Sequence, residues 1–141
     1  MRVVFDTNVL VAAVRSNRGA SYKLLTMMLG NEFEIAISNS LYFEYLEVLL
    51  RPDIRPAVMT EVEMIEAVEE ITKKAFYQDV FFRWRPWLND KNDDMVLELA
   101  IASQCNFIVT FNVKDFRNID VFGIDAVTPS DFLEFLRGRK K

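Results

Sequence analysis

Short, continuously apolar segments alternate along this chain with longer stretches whose apolar residues recur at helical spacing, and that alternation limits the folds open to it. Residues 2–5 read as a buried strand, because an apolar run without polar alternation suits a strand covered on both faces. Residues 9–14 and 22–29 read as helix, with Asn17-Arg18-Gly19 as the break. Residues 33–37 read as strand, and Ser38 or Ser40 can cap a helix that runs to about Leu50 and stops before Pro52. Thr60 to Glu63 has capping-box spacing, after which Val62, Ile65, Val68, Ile71 and Ala75 recur at helical period to about Phe76. Residues 79–83 read as a short strand, 93–103 as helix, 107–110 as strand, 113–116 as a turn or short helix, and 125–127 as an edge strand. Thr128-Pro129 opens a last helix, with proline in the first helical position. The pattern predicts one domain over residues 1–141: a three-layer α/β/α sandwich around a central, mostly parallel sheet, with residues 2–5 as a central strand.

Composition narrows the chemistry. No apolar run approaches the ~20 residues of a membrane span. The opening Met1-Arg2-Val3-Val4-Phe5 is interrupted at once by Asp6, too early for a signal peptide. The single Cys105 makes no internal disulfide, so a cytoplasmic protein without membrane contact is expected. There is no histidine, which removes Ser-His-Asp and Cys-His nucleophile pairs, imidazole acid–base catalysis and most zinc sites. Gly19, Gly30, Gly123 and Gly138 are scattered and form no phosphate-binding loop. Any catalysis must then rest on carboxylates, which suit hard cations such as Mg²⁺ and Mn²⁺. The net charge of −4 is unusual for a passive nucleic-acid binder. A metal nuclease escapes that objection, since bound ions neutralise its acidic cluster.

In parallel α/β sheets, ligands bind beyond the carboxyl ends of the strands. Asp6-Thr7-Asn8 follows the first strand directly, Asn112 and Asp115 follow residues 107–110, and Glu44 lies on the helix after the second strand. Asp90, Asp93 and Asp94 sit at a helix start. Each has a purely structural alternative: Asp6 and the Asp90–Asp94 group as helix caps, Glu44 as a solvated helix residue, Asn112 and Asp115 as turn residues. Asp93 stands out because it shares a helical face with Val96, Leu97 and Ala100, and a carboxylate heading a core-facing stripe needs a partner, which a cation would supply. Asp94 shares its face with Glu98 and reads as less constrained.

Val3-Val4-Phe5-Asp6-Thr7-Asn8-Val9-Leu10 resembles the opening motif of the PIN-domain family. Ser38 through Leu49, with Glu44 six residues after Ser38, resembles its second motif. Asp90-Lys91-Asn92-Asp93-Asp94 with Leu97-Glu98-Leu99-Ala100 and Ile108-Val109-Thr110 resembles the third, and Thr110-Phe111-Asn112-Val113-Lys114-Asp115-Phe116 the fourth. The likeness runs from about residue 2 to 134, with residues 51–88 uninformative, and within the family it is to bacterial toxins of toxin–antitoxin pairs. The resemblance implies a Mg²⁺- or Mn²⁺-dependent ribonuclease whose acidic core is Asp6, Glu44 and Asp93. Asn112 stands where many members carry an aspartate, while others pair asparagine with a nearby acid, here Asp115; this departure bears on a second metal. Thr7, Asn8, Asp94 and Thr110 would support the acids. The resemblance also implies an RNA substrate, an antitoxin partner and a homodimer. Self-association has a basis in the residues too, since Leu41, Tyr42, Phe43 and Tyr45 crowd one helix and no single face can bury them all.

Arg83-Trp84-Arg85-Pro86-Trp87 interleaves cations with aromatics, a pattern that can stack bases or simply pack a loop or an interface. Two other functions compete. A haloacid-dehalogenase-like phosphatase also places an aspartate after its first strand, but wants a second aspartate where Asn8 stands. A degenerate PIN domain acting as a binding module is favoured by Asn112.

Overall fold

Val3, Val4 and Phe5 have no exposed surface, as a strand covered on both faces requires. They belong to β1 (Arg2–Phe5), the middle strand of a five-stranded sheet in the computed structural model, which describes residues 1–80 and 87–139. The other strands are β2 (Glu34–Ile37), β3 (Phe76–Tyr77), β4 (Phe107–Val109) and β5 (Asp125–Val127), in the order β3-β2-β1-β4-β5. Every pairing is parallel, so the expected mostly parallel sheet is wholly parallel among the described residues. The chain passes from β1 to one side of the sheet and then crosses to the other, which makes the gap between β1 and β4 the topological switch point.

Helices α1 (Thr7–Arg15), α2 (Ala20–Leu29), α3 (Asn39–Leu49), α4 (Glu61–Lys74), α5 (Lys91–Ala102) and α6 (Pro129–Arg139) complete a three-layer α/β/α sandwich. Ser38 caps α3 by accepting a hydrogen bond from the Leu41 amide. The capping box at α4 is complete, with Thr60 and Glu63 each bonding the other's backbone amide. Edge-to-face aromatic contacts join Phe5 to Phe33 and Phe33 to Phe132, tying β1 to α6 through the core. At the other end of the sheet, Arg2 pairs with Glu34, donates to the Ser103 carbonyl and lies 3.5 Å from the Phe76 ring centroid. One side chain thus clamps β1, β2, β3 and the end of α5. No described helix is long and apolar enough to cross a membrane.

Three sequence expectations are corrected. The strand expected at residues 79–83 is instead β3 at Phe76–Tyr77, paired with Ala36 and Ile37; residues 79 and 80 are not strand, and 81–83 lie outside the described residues. The buried face of α4 is Met64, Val68 and Ile71, while Val62 is 62% and Ile65 38% exposed. The helix ends at Lys74, because Phe76 is drawn into the sheet by β2. Finally, α5 begins two residues early, at Lys91, since Asp90 provides the cap, accepting from the Asn92 amide at 2.7 Å.

Candidate metal centre

Asp6 leaves β1 and caps α1 in one step: its backbone amide donates to the Val109 carbonyl at 2.9 Å, and its Oδ1 accepts from the Thr7 amide at 2.9 Å. The second oxygen, Oδ2, accepts from the Thr110 hydroxyl at 2.7 Å. Thr110, fully buried just past β4, also accepts from the Asn112 amide at 3.0 Å. Asn8 completes the bracket, its Nδ2 3.4 Å from both Asp6 Oδ2 and Thr110 Oγ1 and its Oδ1 accepting from the Phe111 amide. Asp6 is therefore both the helix cap that its structural reading proposed and the acid at the switch point.

Glu44 reaches the same place from α3. Tyr45, fully buried, donates its hydroxyl to the Phe5 carbonyl at 2.6 Å and locks α3 against the end of β1. Glu44, beside it in the helix, receives a short hydrogen bond from the Thr7 hydroxyl. Asp93 comes from the first turn of α5, whose Val96, Leu97 and Ala100 are buried as its periodicity requires. Among the described residues, the Asp93 carboxylate has no hydrogen-bond or ion-pair partner. Asp6, Glu44, Asp90, Asp93, Asn112 and Asp115 all line one cleft of about 560 Å³.

The electrostatics follow from this crowding. Burial pushes the Asp6 carboxyl above its ordinary range; the bonds from Thr110 and Thr7 oppose that, and the charges of Asp115 and Asp90 add to it. Burial likewise raises Glu44, opposed by Thr7 and reinforced by Asp6, Glu47 and Asp90. Asp93 is pushed up to about 6, by burial first and then by Asp6, Asp90, Asp115 and Glu44. Three acids that resist ionisation in one cleft form a site that favours an added positive charge, and an all-oxygen donor set without imidazole or thiolate fits a hard cation.

The acids are held further apart than the sequence suggests. Among the described residues no three acidic side chains stand close enough to one point to form a ready metal cage, so the expected convergence within a few Å is not met. Thr110 donates to Asp6 and Thr7 donates to Glu44, so each of these two acids already has a hydroxyl partner. Asp94, read from the sequence as less constrained than Asp93, is in fact held: its Oδ1 accepts from the amides of Trp87 and Leu88 at 3.2 and 2.8 Å and ties the preceding loop to α5. Asp90, set aside as a helix cap, faces the same cleft and raises all three acids. Its signal was its place three residues before Asp93. Of the Arg83–Trp87 stretch only Trp87 is described, half exposed and edge-on to Phe122 at 5.1 Å.

Parallel α/β sandwiches bind their ligands beyond the strand ends at the switch point of the sheet, and here carboxylates from three elements face that point. The comparisons make the class specific. The PIN-domain family model matches residues 2–114, and the chain belongs to the PIN-domain family. A solved structure, that of VapBC2 from Rickettsia felis bound to a DNA fragment from their promoter, aligns with a TM-score of 0.58 at 19% identity, covering 89% of this chain and 98% of that one. At that identity the likeness concerns the fold. No curated protein matches the chain.

Proposed function

We propose that this chain is a Mg²⁺- or Mn²⁺-dependent endoribonuclease, the toxin component of a toxin–antitoxin pair, acting in the cytoplasm as a single nuclease domain over residues 1–141. The observation that carries this reading is the cleft at the β1–β4 switch point, which Asp6, Glu44 and Asp93 all line with raised proton affinities and where Asp93 has no described partner. Family membership and the VapBC2 fold match support it. In this reading Asp6, Glu44 and Asp93 hold the ion. A bound ion supplies Lewis acidity, which activates water near neutral pH and offsets charge on phosphate oxygens. The chain's own residues do the rest. Thr110 and Asn8 fix the orientation of Asp6, Thr7 fixes Glu44, and Asn112 and Asp115 line the same cleft, where the Asp115 carboxylate would be available to take a proton. Asp94 supports the arrangement by anchoring the loop ahead of Asp93.

The toxin role calls for an antitoxin, and a small neighbouring reading frame encoding a DNA-binding protein would support it. A homodimer is part of the same reading. On α3, Leu41 and Tyr45 are buried while Phe43 is 63% exposed, an apolar ring left for a second chain. Sedimentation giving a clean monomer at tens of micromolar would sink the homodimer.

One alternative has a specific observation behind it. Asn112 in place of an acid, together with acids that close no ready cage, favours a PIN domain that binds without cutting. Calorimetric titration with Mn²⁺ separates the two. The nuclease reading expects saturable binding that Asp6→Asn weakens at least about tenfold. A wild-type protein that binds neither Mn²⁺ nor Mg²⁺ would leave the binding module standing.

A further inference from the structure

Asp90, Asp93 and Asp115 line both the acidic cleft and a neighbouring cavity of about 690 Å³. The far side of this cavity has a different chemistry. Lys114 and Arg117 line it, and among the described residues neither is ion-paired, although three carboxylates face the same space. Arg117 Nε donates to the Lys114 carbonyl at 3.1 Å, which holds both cations on one turn. Trp87 lines the cavity too, with its indole half exposed. Its edge-to-face contact with Phe122 sets the ring, and Asp94 pins its backbone to the helix that carries Asp93.

Unpaired cations and an exposed aromatic face within one cavity match the two things an unpaired nucleotide offers, a phosphate and a base face. A duplex would keep its base faces stacked internally and could not use the indole. We propose that this second cavity is a nucleotide subsite for single-stranded RNA: Lys114 and Arg117 take the phosphate next to the scissile one, and Trp87 stacks the base attached to it. The subsite rests on the nuclease reading for the position of the scissile phosphate, yet its binding role can be measured without cleavage.

The test uses the full chain carrying Asp6→Asn, so that RNA stays intact, and a fluorescein-labelled single-stranded RNA hexamer in Mn²⁺ buffer. Binding is read by anisotropy over a range of salt. Adding Trp87→Ala is expected to weaken binding about tenfold, within the range of one stacked base, while Trp87→Phe retains most of it. Adding Lys114→Ala and Arg117→Ala together is expected to make the slope of log K against log salt shallower by roughly 0.7, one phosphate contact on a single strand. Replacing the distant surface pair Arg18 and Lys23 by alanine should leave that slope in place. The subsite is refuted if Trp87→Ala binds as tightly as its parent, or if the Lys114/Arg117 variant keeps the parent's slope. Cleavage by the unmutated protein, assayed separately, distinguishes the two claims. An inactive wild type whose Asp6→Asn form still shows the Trp87 and salt effects would sink the nuclease reading and keep the subsite.

Discussion

Replacing Asp93 by asparagine should stabilise the metal-free protein at neutral pH. The Asp93 carboxyl has an ordinary value of 3.8 and is pushed up to about 6 in the fold, chiefly by burial and then by the charges of Asp6, Asp90, Asp115 and Glu44. The folded chain therefore holds this proton more tightly than the unfolded chain. Below about pH 4 the group is protonated in both states and has no effect on stability. As pH rises through the window from about 4 to about 6, the unfolded state ionises first and folding stability falls; above about 6 the full penalty is present. The displacement corresponds to a ceiling of about 3 kcal/mol. The side chain is only partly buried, and water reaching it screens such terms, so a penalty of about 1 kcal/mol is the reasonable figure. For a chain of this length that is a Tm gain of about 3 °C for Asp93→Asn. Differential scanning calorimetry in EDTA at pH 7.5 and at pH 4 measures it. The gain should appear at pH 7.5, shrink to a small fraction of that at pH 4, and reverse when Mn²⁺ is added, since only wild type can use the full acid set. A variant no more stable than wild type at pH 7.5, or stabilised equally at both pH values, would refute the repulsion argument.

Further outcomes follow from the groups that hold the acids. Thr110→Val keeps the shape but removes the donor to Asp6 and the acceptor for the Asn112 amide; Mn²⁺ affinity measured by calorimetry should drop about tenfold or more. Ser38→Ala removes the α3 cap and should cost about 1 kcal/mol in urea unfolding, a loss that a solvent-satisfied Leu41 amide would not produce. Asp94→Ala leaves two backbone amides without their shared acceptor and should cost about 1–3 kcal/mol by the same assay, whereas a solvated Asp94 would cost almost nothing.

The strand–helix alternation was legible because β1, β2 and β4 are apolar runs covered on both faces, and coverage leaves its mark on every residue of the run. The two-residue β3 was not: Ala75 and Phe76 extend the helical period of α4, and only the partner strand β2 determines that Phe76 joins the sheet. The buried face of α4 was misread for a similar reason. Its β-branched residues suggested one stripe, but contact with the rest of the fold selected Met64, Val68 and Ile71. At the site, Asp6 could be picked out because it sits at a strand end and Asp93 because it heads a core-facing helical stripe, whereas Glu44, which alone reads as a solvated helix residue, was marked by the family resemblance. The hydroxyls that hold Asp6 and Glu44 act across 104 and 37 residues of chain, and Asp94 reaches back to amides six and seven residues away. Such pairings depend on how the chain closes in space, which no local spacing records.

Mn²⁺-dependent cleavage of a mixed pool of single-stranded RNA, compared for wild type, Asp6→Asn and Asp93→Asn, decides whether the acidic cleft is a nuclease site. The expected result is cleavage by wild type that EDTA abolishes, with both variants slower by orders of magnitude and still folded by circular dichroism. Variants that cut as fast as wild type would show that the carboxylates at the β1–β4 switch point do not carry the chemistry.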